Sequence, residues 1–434
     1  MSEETGIGSY FVANYPPFGV WSPEGADAAE TRLNAPATPN TPLGLYVHIP
    51  FCRKRCRFCY YKVYTEKNAR EVRAYLDTVA DEAALLAERA MVQGRPLDFV
   101  YFGGGTPSYL SVDQLTQLDD ALRRHFPRAD RAETTFECEP GTISAPKMAA
   151  IRDLGVTRVS LGIENFSDAI LQENGRAHDA ADIERAYGVL RDADFAQINI
   201  DLIAGMVGET PDNWRDCIER TVAMEPDSVT IYQMEVPFNT TLAAETRAGT
   251  APPIPSWETK RRWTGEAFQA LLTAGYHQSS GYTLVRDPST RFQYRDQLWR
   301  GADLLGLGVS AFSHVGGVHH QNEKHVEQYT ARVAAGELPL ARGHALSDEE
   351  RFIREFILQL KLGRVSFEPF RQKFGVDPLR RFQAPLAHLE EGGLLSTDDN
   401  SVRLTEEGLL RVDSLLPQFF LPTHGGPVAE VPRG

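Results

Sequence analysis

The chain has 434 residues, with 45 Lys and Arg against 59 Asp and Glu, giving a formal net charge of −14. That length accommodates two or three domains and a large core, and a composition 42% hydrophobic and 24% charged is ordinary for a globular protein. The acidic balance excludes a general positive field for gathering nucleic acid, no apolar run approaches the roughly 20 residues of a membrane span, and MSEETGIGSYF lacks the layout of a secretory signal, so a cytoplasmic protein without nucleic-acid or membrane partners is expected.

Residues 1–43 are rich in Pro, Ala and Asn and read as an arm with too few periodic apolar positions for a packed element. Its aromatics Tyr10, Phe11, Tyr15, Phe18 and Trp21 predict that the first half docks on a partner surface. Strand-like runs follow at 45–49, 97–102, 134–139, 158–163, 197–203 and 228–234, alternating with amphipathic helices at 69–92, 112–125, 145–154, 179–193 and 211–224. Ser144 is the expected cap of the third helix. Six such repeats are parallel βα units, an α/β fold that curls into a barrel or spreads as a doubly wound sheet. A helix at 256–274 and a buried strand within LLGLGVSAF (304–312) extend this unit to about residue 345. Residues 346–421 read as helices with a short strand pair, a small winged-helix-like domain. It has no row of Lys and Arg, which favours packing or substrate covering over DNA reading. Residues 422–434 are a tail.

Three of the five cysteines stand as Cys52-x3-Cys56-x2-Cys59 after the first strand. An odd count without an export signal points to metal or redox chemistry. Three thiolates on one loop can hold three irons of a cubane and leave the fourth open to a small molecule. The alternative is zinc on three cysteines plus His48, but zinc ligands usually come as paired knuckles, and Cys138 and Cys217 lie in a strand and a helix. Arg53, Lys54, Arg55 and Arg57 are expected to favour the thiolates.

Alternation along the strands puts Glu137 and Glu139 on one face, then Ser160, Gly162 and Glu164, then Asn199 and Asp201. Carboxylates thus gather inside, near the strand ends where barrel enzymes place their sites. Buried carboxylates call for a cationic or hydroxyl-bearing ligand, or for an internal salt bridge such as Arg176 with Glu164 or Asp201. The run Gly103–Gly105 allows a sharp turn or close approach to a ligand, and both readings stand.

The cysteine loop, the string Tyr46-x-His48-x-Pro50-Phe51-Cys52, and the segments FGGGTPSYL, FECEPGT, SLGIENF, NIDLIAGMVGET and GLGVSAF together resemble one family. It is the radical S-adenosylmethionine (SAM) superfamily, in its HemN-like branch of oxygen-independent coproporphyrinogen III oxidases. The resemblance spans most of residues 44–420. It implies a partial (β/α)6 barrel over 44–345, a HemN-type C-terminal domain over 346–421, and a 4Fe–4S cluster on Cys52, Cys56 and Cys59. It further implies SAM, as two molecules, contacted by Tyr46, Phe58, Gly104, Gly105, Thr106, Glu137, Glu164, Arg176, Asp201 and Met234. The chemistry so implied is reductive cleavage of SAM to a 5′-deoxyadenosyl radical that takes a hydrogen atom, with an electron donor such as flavodoxin or ferredoxin and a small-molecule substrate.

Two departures from the porphyrin-forming pattern make Glu164 and Tyr61 the candidate catalytic residues: Glu164 replaces a glutamine and Tyr61 a fourth cysteine. The heme-trafficking motif HNxxYW is reduced to Tyr294-Arg295-Asp296-Gln297-Leu298-Trp299, with no histidine for heme iron. With the aromatic arm, these features resemble natural-product members of the branch, the class C methyltransferases and radical cyclopropanases. The expected reaction is therefore alkylation, methylation or cyclopropanation of an sp² carbon with a second SAM as one-carbon donor, leaving open a separate methyltransferase partner. The alternatives are oxidative decarboxylation of coproporphyrinogen III and a heme- or metal-binding protein without catalysis.

Overall fold

The computed structural model describes residues 4–8 and 11–426, so Tyr10 of the arm and residues 427–434 of the tail lie outside the described residues. Six strands, β1 (Leu43–Ile49), β2 (Leu97–Gly104), β3 (Arg128–Cys138), β4 (Arg158–Glu164), β5 (Gln197–Ala204) and β6 (Ser228–Gln233), pair in chain order and in parallel. Past β6 the sheet continues antiparallel through β8 (Thr283–Val285) to β7 (His277–Gln278). Beyond β1 lies β9 (Asp303–Leu307), parallel to it, followed by the antiparallel β10 (Phe312–Val315), β11 (Val318–Asn322) and β12 (Leu340–Ala345). The buried strand read in LLGLGVSAF is thus a seventh parallel strand, and the twelve-stranded sheet ends on β12 and β7 without closing.

The alternating residues Leu45, Val47 and Ile49 of β1 are almost wholly buried beneath the covering helices, and each such side chain contributes about 1.5–3 kcal/mol. The helices begin where the sequence offers caps. Asn68 with Glu71 and Ser111 with Gln114 close capping boxes at Ala69–Ala87 and Val112–His125. Ser144 takes the capping position of Ala145–Asp153, but its hydroxyl makes no capping bond. Among the described residues no helix is long and apolar enough to cross a membrane.

The arm departs from expectation: it docks on its own chain. Helix Gly25–Leu33 buries Ala29 and Leu33, four apart on one face, in the barrel's outer core. Trp21 stacks on His319 at 4.9 Å, Phe18 packs on Phe312 at 4.7 Å, and Tyr15 is buried in the C-terminal domain. The Tyr15 hydroxyl bonds His424 Nδ1 at 2.9 Å and accepts from Leu421 N at 3.2 Å. Aromatic side chains spaced along an irregular segment show that it must be covered, not by what.

The C-terminal region follows the winged-helix reading. Helices Asp348–Leu360, Glu368–Phe374 and Gln383–Glu391 pack with a three-stranded antiparallel sheet, β13 (Arg364–Ser366), β14 (Leu395–Thr397) and β15 (Ser401–Leu404). Its buried Lys361 joins the pieces: Nζ donates to the carbonyl of Val12 at 2.6 Å and meets Asp413 at 2.9 Å, while Asp413 accepts from Val12 N at 2.8 Å. Phe11 reaches Tyr232 at the end of β6, with ring centres 6.4 Å apart. The arm therefore crosses between the barrel mouth and the C-terminal domain.

Candidate active site

The cysteine loop leaves β1 and is pinned at its start, where Cys52 N donates to Tyr64 O (3.2 Å) and Tyr64 N to Pro50 O (2.8 Å). All three thiols are partly accessible and face donors: Thr106 Oγ1 lies 3.4 Å from Cys52 Sγ, and Arg176 Nη1 lies 3.4 Å from Cys56 Sγ. Burial pushes the Cys52 thiol up to about 11 and the Cys59 thiol up to about 12, and a bound metal would favour the thiolate form of both. Three sulfurs on one loop, two of them facing a hydroxyl or a guanidinium donor, are a donor set that fits a cluster held on thiolates. Zinc on the same residues would need His48 as its fourth ligand. The Nδ1 of His48 is bonded to the Tyr46 hydroxyl at 3.1 Å, burial lowers its pKa to about 4, and its buried Nε2 has no hydrogen-bond partner among the described residues. Among the described residues, no three His, Cys, Asp or Glu side chains stand close enough to share one ion.

The basic residues of the loop follow the sequence reading only in part. Arg57 binds Glu173 and Glu245, while Arg55 bonds the carbonyls of Cys59 (3.3 Å) and Asn239 (3.1 Å) and its charge favours the Cys59 thiolate. Arg53 approaches Glu139 at 3.9 Å, and Lys54 faces solvent. The cation that reaches a thiol is Arg176, from across the barrel. Its Nη2 also donates to Gly162 O at 2.7 Å and lies 3.7 Å from Glu164.

Inside the barrel the three expected carboxylates converge. Burial raises Glu137 and Glu164 to about 7, and Asp201 is raised as well; their mutual repulsion adds to each glutamate. Glu137 accepts from Tyr101 at 2.6 Å and from Gly104 N at 3.2 Å. Asp201 accepts from Ser160 at 2.7 Å and Asn199 at 2.9 Å. Arg176 is the ion-pair partner of Glu164 among the described residues, and Glu164 holds a left-handed backbone (φ 66°), costly for a non-glycine residue and typical of functional positions. A cavity with surplus buried carboxylate and hydroxyl groups suits a ligand bearing an ammonium or sulfonium group and ribose hydroxyls.

The glycines answer first to the fold. Gly104 has φ 113°, and a Cβ there would stand 2.6 Å from His48; one on Gly105 would stand 2.9 Å from the Ile49 and Phe51 carbonyls and 3.0 Å from Cys52 Sγ. Tyr46 stacks on Tyr101 at 5.9 Å in the same chamber. Tyr61 stacks on Tyr60 at 4.4 Å and keeps 39% of its surface exposed, beside His48. Met234 lies in an apolar cluster with Ile203, Met206 and Val207 against which Phe58 packs.

Tyr101, which donates to Glu137, and Arg158 escaped sequence reasoning. Arg158, 3% exposed, has its guanidinium 4.1 Å over Phe292, and its Nε has no partner among the described residues. It shares the strand parity of Ser160, Gly162 and Glu164, so alternation alone would have placed it on the chamber floor.

Residues 46–221 match the model of the radical SAM superfamily and residues 346–411 that of the HemN C-terminal domain. The chain is 29% identical over 397 residues to the oxygen-independent coproporphyrinogen III oxidase of Escherichia coli, covering 88% of this chain and 86% of that one. It is 28% identical over 379 residues to the heme chaperone HemW of Bacillus subtilis, covering 86% and 98%. Among solved structures, the E. coli coproporphyrinogen III oxidase (HemN), described as a radical SAM enzyme, superposes with a TM-score of 0.83 at 27% identity, over 96% of this chain and 99% of that one.

Proposed function

Because the chain belongs to the radical SAM superfamily and carries the HemN-type C-terminal domain, we propose that it is an oxidative decarboxylase of the coproporphyrinogen III oxidase kind. The end-to-end agreement in fold with the E. coli oxidase carries this reading. The expectation of methylation or cyclopropanation is withdrawn, since the relatives found are oxidases and a heme chaperone.

Cys52, Cys56 and Cys59 would hold the cluster, with Thr106 and Arg176 donating to the sulfurs. Glu137, Glu164 and Asp201 would face the cationic and hydroxyl groups of SAM. When bound, cluster and SAM supply one-electron bond cleavage and hydrogen-atom abstraction from the substrate. Tyr46, Tyr101 and Tyr294 wall the chamber and limit water at the reacting carbon. Arg158, buried and short of partners, fits one carboxylate of a propionate-bearing substrate at the floor. Loss of a hydrogen atom to the deoxyadenosyl radical, of carbon dioxide, and of one electron to a one-electron acceptor would turn a propionate into a vinyl group. Two such events per substrate accord with two SAM molecules, and a reductant of the flavodoxin or ferredoxin kind starts each one.

The test is anaerobic incubation of reconstituted protein with SAM, reductant and coproporphyrinogen III. Deoxyadenosine together with protoporphyrinogen IX is expected. A product that keeps every carboxylate and gains carbon from labelled SAM would overturn the reading.

A further inference from the structure

The outer face of the cysteine loop is unlike the rest of this acidic chain. Arg53, Lys54 and Arg55 are exposed in succession, and the exposed Arg247 stands beside them, its Nη2 donating to Phe238 O at 2.8 Å. Lys54, Arg55 and Arg247 close no ion pair with any of the described residues. Phe238 is 64% exposed, the largest value among the exposed large hydrophobic residues described. Its neighbour Asn239 grips the loop, donating to Tyr60 O at 2.6 Å and accepting from Arg55 at 3.1 Å. An aromatic ring rimmed by cations is the composition of an interface centre and rim. The position matters equally: the patch lies directly outside the loop that carries the three thiols.

We propose that Arg53, Lys54, Arg55, Arg247 and Phe238 form the landing surface for an acidic, low-potential one-electron carrier protein, a proposal that rests on the radical SAM reading above. The carrier is oxidised by one electron, which enters through the cysteine loop. A chain of net charge −14 repels an acidic partner from most approaches, so a local positive patch selects the one docking geometry that brings the donor close to the thiols. Small, salt-sensitive, short-lived contacts suit such encounters.

The test uses the reconstituted holoprotein with a flavodoxin and a ferredoxin as probes. Association rate is measured against salt, alongside deoxyadenosine formation driven by each carrier or by dithionite. Lys54→Glu/Arg247→Glu should slow association about tenfold and flatten its salt dependence; Phe238→Ser should speed dissociation. Both variants should keep dithionite-driven turnover while losing carrier-driven turnover. Wild-type protein that binds neither carrier at low salt, or variants that bind as wild type does, would overturn the landing surface. Absence of deoxyadenosine with every reductant would instead sink the radical SAM function, leaving the binding measurements to judge the surface.

Discussion

Glu137, Glu164 and Asp201 occupy one small volume, where three negative charges cannot coexist without a cation. Glu137 ionises at about 7 when folded against an ordinary 4.5, so the ligand-free fold binds a proton that the unfolded chain has released between those values. Stability therefore falls as pH rises through that window. Glu137→Gln removes the share of that fall due to Glu137: its ligand-free Tm should exceed that of wild type by a few degrees at about pH 8, the gap closing by about pH 5. Arg176 holds Glu164 down, so Arg176→Met should move the midpoint of pH-dependent SAM binding upward by about a unit or more, as equilibrium dialysis would show. The carboxylates were legible because strand parity is local information. Arg158 carried the same parity signal unread, and the outward turn of Arg55 and Arg57 was invisible because their partners Asn239, Glu173 and Glu245 lie far along the chain.

At the scale of elements, the cysteine loop and the strand-to-helix turn after β2 are built against each other. A Cβ on Gly105 would press on two backbone carbonyls, which cannot swing aside as a flexible side chain can. Gly105→Ala should consequently lower iron incorporation by at least about half, since cluster retention depends on thiol placement; iron content and charge-transfer absorbance would report it. The clamp of Lys361 on Val12 and Asp413 makes a second joint. Lys361→Met leaves Asp413 without its buried counter-charge, a loss of about 3–5 kcal/mol, and should free the arm to limited proteolysis. Periodicity placed the six parallel strands of the barrel and the long helices that cover them, since each reports its own burial, but not the short helices Gly25–Leu33 and Thr241–Ala248 or the antiparallel strands β10 to β12. This clamp joins residues 401 apart, and no local pattern encodes such a pairing.

For the whole molecule, the seam between barrel, arm and C-terminal domain is lined by histidines kept neutral. Burial holds His314 and His319 well below 6.5 and His320 at about 4, with Arg354 adding repulsion to the first two. The stability they lend is complete above 6.5 and is lost as pH falls toward 4. Below about pH 6 the Trp21 emission should therefore shift red, and Trp21→Phe should abolish that change. The barrel was legible from its repeats, whereas the arm's destination was not, because an aromatic segment names no particular host. That destination has a temporal side. Tyr15 finds its seat against His424, 409 positions later. At synthesis speeds of about 5–20 residues per second, the nascent N-terminus waits on the order of 20–80 s before its berth leaves the ribosome. The Tyr15 end of the arm is therefore seated only after every strand of the twelve-stranded sheet has been made.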